Sequence, residues 1–159
     1  TSRGDIAQPG VQRSGRVLYQ GNRSGEKSVV SRKSIKSIKS KVKKGMKIEK
    51  FEDIIAWQKA KELTLNVYSD FQTVKDFGFK DQIQSAVLSV MNNIAEGFER
   101  RGDKEFKHFL FIAKGSCGEV RSMLCVALDL RYINEAQYRK HLEIAVEISK
   151  LLSGFIKTL

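Results

Sequence analysis

The chain has 159 residues, 41% of them hydrophobic, and 29 Lys and Arg against 18 Asp and Glu, a formal charge of +11. That length suits one domain, and two cysteines are too few for a disulfide framework. No apolar run is long enough to cross a bilayer and no charged-then-apolar leader opens the chain, so the expectation is a reduced, cytoplasmic protein with no membrane partner.

The charge is uneven. Residues 1–45 hold 12 Lys and Arg against 2 Asp and Glu, whereas residues 46–159 hold 17 against 16. The excess therefore sits in a basic tail on a nearly neutral domain. Residues 1–45 are rich in Gly, Ser, Arg and Lys, hold the only proline, Pro9, and carry too few apolar residues for a core. Such a segment is expected to be disordered. Its cluster Arg32, Lys33, Lys36, Lys39, Lys41, Lys43 and Lys44 suits nucleic-acid phosphates, which need clustered cations but no fold. A solvated linker explains the same run, as does translated sequence upstream of a start at Met46.

Four helices are predicted in residues 46–159. The first spans about 53–74, with the stripe Trp57, Ala60, Thr64, Val67, Tyr68 and Phe71. Asp76 to Phe79 reads as a break, with Gly78 available for a left-handed turn. The second helix spans about 80–101 and buries Ile83, Val87, Val90, Ile94 and Phe98. Beside that stripe Asn93, Glu96, Gly97 and Arg100 recur at i, i+3, i+4 and i+7. Arg100 and Arg101 suit its C-terminal end, and Gly102 stops it.

The third helix spans about 103–131, with Asp103 as N-cap. Its main stripe runs Phe106, Phe109, Leu110, Ala113, Cys117, Val120, Leu124, Ala127 and Leu128. Ile112, Met123 and Leu130 add a second apolar strip, wider than one bundle core requires, which suggests a subunit interface. Gly115 and Gly118 lie away from the main stripe with Phe111. They are either tolerated or mark close approach by another subunit's helix. Cys117 and Cys125, eight residues apart on this helix, are too far apart for a disulfide.

The fourth helix spans about 134–158. Asn134 with Gln137 resembles a capping box, and Ile133 with Tyr138 a hydrophobic staple. Its stripe reads Tyr138, Leu142, Ala145, Ile148, Leu152, Phe155, Ile156 and Leu159. Short connections make successive helices antiparallel. The predicted fold is all-α: an up-down-up-down four-helix bundle behind a disordered basic tail.

Three groups of residues together resemble a known family. They are Phe51-x-Asp53-x-x-x-Trp57-Gln58-x-Ala60, then Asn93-Ile94-Ala95-Glu96-Gly97 with Arg100-Arg101, then Phe106-x-x-Phe109-Leu110-x-Ile112-Ala113-x-Gly115-Ser116-x-x-Glu119. The family is the bacterial four-helix-bundle proteins encoded in intervening sequences of the 23S ribosomal RNA gene, also called S23 ribosomal proteins. The resemblance covers about 47–159. It implies a cytoplasmic bundle that assembles into a ring-like homo-oligomer, a pentamer. The accessory proteins of diversity-generating retroelements, which bind a reverse transcriptase and nucleic acid, are more distantly similar. They are more basic than this domain.

Asn93, Glu96, Gly97, Arg100, Arg101, Ser116 and Glu119 match the family's motif. They read first as a hydrogen-bonded network that sets the register of helices 2 and 3. A binding site for a partner or nucleotide is the second reading. Glu105-x-x-His108 is half of a di-iron motif and lacks its second half, so no metal or other cofactor is expected. No nucleophile elbow, phosphate loop or zinc spacing occurs. The expected function is a non-enzymatic, homo-oligomeric module associated with RNA or a ribonucleoprotein. The competing reading is a scaffold or accessory subunit for another protein, with no nucleic-acid role.

Overall fold

The computed structural model describes residues 48–100 and 102–159. Arg101 and the cations Arg32, Lys33, Lys36, Lys39, Lys41, Lys43 and Lys44 lie outside the described residues, as does the whole of the predicted tail. A short 3-10 turn at Phe51–Asp53 leads into α1 (Ile55–Asp70), α2 (Phe77–Glu99), α3 (Asp103–Asp129) and α4 (Glu135–Ile156). Each helix packs on its neighbour in sequence, and α1 closes the square on α4. This is the antiparallel four-helix bundle that the periodicity predicts.

The core comes from one stripe of each helix. Ala56, Ala60, Leu63 and Val67 of α1 face Ile83, Val87, Val90 and Ile94 of α2. Leu110, Cys117, Val120 and Leu124 of α3 complete it with Ala145, Ile148 and Leu152 of α4. Each fully buried Leu, Ile or Val contributes roughly 1.5–3 kcal/mol. Thr64 is the polar exception in α1. Its hydroxyl donates to the Ala60 carbonyl at 2.8 Å, so it enters the core already paired.

Aromatic rings close both ends of the bundle. At one end Phe71 stacks on Phe79 at 6.3 Å, and Phe79 meets Tyr132 edge-on at 5.3 Å. At the other end Phe106 sits between Phe98 at 5.9 Å and Phe155 at 5.2 Å.

The boundaries differ from the predicted ones where the caps are decided by detail. α1 stops at Asp70, and Phe71 and Val74 continue into a buried turn. Gly78 makes no left-handed turn. It lies in the first turn of α2, which begins three residues earlier than predicted because Asp76 caps it by accepting the Phe79 N–H at 3.0 Å. That bond, and a second from the Tyr132 hydroxyl at 2.9 Å, hold the Asp76 carboxyl below its usual range.

Asp103 is the first residue of α3 and makes no cap; Gly102 takes the N-cap position, with φ at +110°. At the start of α4 the capping box forms in full. Asn134 accepts from the Gln137 N–H and Gln137 accepts from the Asn134 N–H, both at 2.9 Å.

The stripes shift as well. Leu63, which the sequence reading omits, is buried, whereas Tyr68 is exposed. In α4 the core position belongs to His141 and not to Leu142, which is half-buried on the flank.

α3 ends in a Schellman turn. The Tyr132 N–H reaches the Ala127 carbonyl at 2.8 Å and the Arg131 N–H reaches Leu128 at 3.0 Å. The residue in the left-handed position is Arg131, with φ at +59°, where glycine is usual. Arg131→Gly is expected to raise stability by about 1 kcal/mol, because a side chain there costs that much. Urea unfolding of the two chains reads it, and an unchanged or lower midpoint refutes it.

Candidate functional site

The family-motif residues converge on the seam between α2 and α3. The stripes face each other: the Ser89 and Ser116 hydroxyls lie 2.8 Å apart across the seam. Asn93 donates to the Ser89 carbonyl at 2.7 Å and to its hydroxyl at 3.0 Å. Ser116 is also within reach of the Ile112 carbonyl at 3.2 Å. Further along, Gln82 donates to the Glu119 carboxylate at 3.0 Å. Two side-chain bonds thus join the helices, and each uses a residue that the motif lacks, Ser89 or Gln82.

Glu96 and Arg100 pair along α2 at 2.6 Å, both half-exposed. Arg100 also lies over the Phe109 ring at 5.4 Å. The pair raises the Arg100 pKa, chiefly through the hydrogen bond that Arg100 donates to Glu96. An exposed pair of this kind contributes little to stability.

Gly97 departs from the expected polar flank. It is buried, and a Cβ placed there would lie 2.5 Å from the Phe109 Cβ and 3.0 Å from the Phe106 ring. Glycine is required because the start of α3 crosses the end of α2 at backbone distance. Gly115 and Gly118 differ. A Cβ on either meets nothing within 4 Å among the described residues, so none of the other three helices closes on them. Phe111 beside them is 53% exposed.

The chemistry open to this seam is limited. Among the described residues Ser116 bonds only to Ser89 and its own helix, and no imidazole or carboxylate bonds to either hydroxyl. Neither serine is activated as a nucleophile. Glu105 and His108 are both exposed on α3. Among the described residues no three His, Cys, Asp or Glu side chains gather to hold a metal. Cys117 is buried, which pushes its thiol pKa up to about 11, and its Sγ donates to the Ala145 carbonyl at 2.9 Å. Cys125 is exposed.

The polar pair missed by the sequence reading joins α1 to α4. His141 is fully buried, with Nε2 2.8 Å from the Asp70 carboxylate. A carboxylate only accepts, so Nε2 carries the proton and the buried Nδ1 is left as an acceptor without a partner. The signal was present: Tyr138, His141, Ala145 and Ile148 have core spacing. Burial lowers the His141 pKa, and the Asp70 hydrogen bond offsets only part of this.

Residues 52–154 match the family described as 23S rRNA-intervening sequence protein. Five solved chains are similar to this chain. One is a protein with unknown function from the S23 ribosomal protein family of Bacteroides thetaiotaomicron VPI-5482. It is 25% identical, with a TM-score of 0.62, and the match covers 65% of this chain and 99% of that one. No curated protein matches.

Two outcomes are expected. Gly97→Ala lowers stability by about 2 kcal/mol, since overpacking outweighs the gain in helix propensity, whereas Gly118→Ala raises it by up to about 1 kcal/mol. Equal shifts in the two melting curves would refute the close approach at Gly97. For His141 the folded pKa lies below the ordinary 6.5. Its contribution to stability is therefore complete above that value and is lost as pH falls through the folded pKa. Denaturant midpoints of the wild type should fall between pH 7 and pH 5 more steeply than those of His141→Phe; parallel profiles would exclude the imidazole as the titrating group.

Proposed function

This chain belongs to the 23S rRNA-intervening sequence protein family, and from that we propose that it is a non-enzymatic, self-associating four-helix module that works with RNA or a ribonucleoprotein. The observation that carries self-association is an apolar strip on the side of α3 nearer α2. Ile112, Val126 and Leu130 are 40%, 44% and 50% exposed there, with Met123 half-buried between them. A single chain has no use for them, and burying them against a second copy removes apolar surface from water. The family resemblance implies a ring-like assembly, a pentamer, and that is the form we propose. Among the described residues no helix is long and apolar enough to cross a membrane, so the strip is not part of a spanning segment.

The support for RNA is the family's link to ribosomal RNA genes together with the charge of residues 1–45. Those cations neutralise phosphates without a fold, and binding through them weakens steeply with salt. Arg101 belongs to the same motif as Arg100 and adds a further cation to the sequence. The near neutrality of residues 46–159 favours one other reading, a scaffold that holds a partner protein and no nucleic acid.

Light scattering coupled to size exclusion tests both parts. The full chain is expected as one discrete multiple of 18.0 kDa, and Ile112→Glu with Val126→Glu is expected to reduce it to a single chain. A structured ribosomal RNA fragment should co-elute with the wild type at low salt and leave it at high salt. A wild type of one-chain mass removes the self-association reading. Failure to carry RNA at any salt gives first place to the scaffold.

A further inference from the structure

We propose that the flank of α3 facing α4 is a docking surface for single-stranded RNA, with Lys107, Lys114 and Arg121 on its phosphates and an unpaired base on Phe111. This rests on the RNA reading above and moves part of the recognition from the tail to the bundle.

The neutral total of residues 46–159 hides a sorted surface. Two contacts orient α3. Glu119 and Ser116 bond to α2, and Cys117 bonds to the Ala145 carbonyl of α4. Steps of three and four residues then place Lys107, Phe111, Lys114, Gly118 and Arg121 in one line on the α4 side. The carboxylates Glu105 and Glu119 fall on the other side, where Glu119 bonds to Gln82 and Glu105 lies in the field of Arg100. Ion pairs in the described residues involve Lys59, Arg100, Arg139 and His141, and none engages Lys107, Lys114 or Arg121.

The three cations recur every seven residues, about 10.5 Å apart at the helical rise. Phe111, 53% exposed, stands between the first two. Cations that track a backbone, with an exposed ring between them, are what single-stranded nucleic acid requires. A paired base would be buried in its stack and could not reach the ring. Gly115 and Gly118 leave open space beside Phe111, so a ribose-phosphate backbone lies flat against the helix. Past Gly118 the flank opens into a groove walled by Arg121 and Cys125 of α3 and Tyr138 and Leu142 of α4, with Asp129 at its far end. A second copy of the same flank is a poor occupant, since docking it on itself would bring like charges together. The apolar strip with Ile112 and Val126 lies on the opposite flank and stays available for self-association.

The test uses the full chain and fluorescence anisotropy with two labelled probes, a 16-nucleotide oligouridine and a fully paired RNA hairpin with the same number of phosphates. Lys114→Glu with Arg121→Glu should weaken oligouridine binding at least tenfold and lower the salt slope by about 1.4, the share of two single-strand phosphate contacts. Phe111→Ala should cost roughly tenfold on oligouridine and little on the hairpin. Lys75→Glu with Lys80→Glu makes the same charge change away from the flank and should leave affinity near that of the wild type. Circular dichroism melts confirm that each variant is folded. If the wild type binds and the flank variants bind equally well, the tail alone carries RNA. That result overturns this inference and leaves the proposed function standing. If Phe111→Ala changes the oligomer mass and not the RNA affinity, the flank is a subunit contact and the inference fails. If the wild type binds neither probe, the RNA reading fails and takes this one with it.

Discussion

The crossing of α2 and α3 depends on a side chain that is missing. With no Cβ at Gly97, the Phe109 Cβ and the Phe106 ring come to within 2.5 and 3.0 Å of where one would stand. That approach brings the helices together just before Gly102 reverses the chain, and it sets how the rest of the seam meets. Eight residues back along α2, Ser89 meets Ser116 with Asn93 bonded to it, and two turns further back Gln82 meets Glu119. A larger residue at Gly97 would push the helix ends apart, and hydroxyls 2.8 Å apart tolerate little of that. The polar contacts do not hold the helices together by strength, since each is half-exposed and contributes modestly. They select one register among the several that a smooth apolar stripe allows.

Much of this was legible in the sequence. Spacing alone identified four helices, their antiparallel order and most of the core, because a 3.6-residue period survives errors at single positions. The capping box at Asn134 was legible because both partners are local. The failures share a cause: each was settled by something off the local chain. Asp76 started α2 early because its carboxylate also had Tyr132 to accept from, 56 residues away. His141 is polar and its core place reads as that of Leu142, but Asp70 stands across the bundle to accept a hydrogen bond from its N–H. Gly97 sat in a line of polar residues and was read with them, although its reason is a phenylalanine in the next helix. Ser89 and Gln82 stood outside the quoted motif, yet each supplies half of an interhelical bond.

His141 and Asp70 hold α4 to the end of α1 by a means that a Leu–Leu contact could not replace without loss of direction. A hydrogen bond at 2.8 Å fixes both rotation and height of one helix against the other. The arrangement carries its own cost, an acceptor at Nδ1 with no donor, and so it is the part of the core most exposed to protonation. The end of the bundle where α1 gives way to α2 therefore senses acid through this pair.

Net charge is a poor guide to such a fold because a helix sorts charge by angle. Over α3 the residues that bond to α2 include the carboxylate Glu119, and those that turn toward α4 include Lys107, Lys114 and Arg121. Summed, they nearly cancel; separated by the width of a helix, about 10 Å, they are a Debye length apart at physiological salt and act independently on anything that approaches. A polyanion therefore meets a different molecule on each flank. The same geometry would let one helix carry both of the proposed contacts. Its apolar strip lies toward α2, its basic strip lies toward α4, and neither need be vacated for the other to be used.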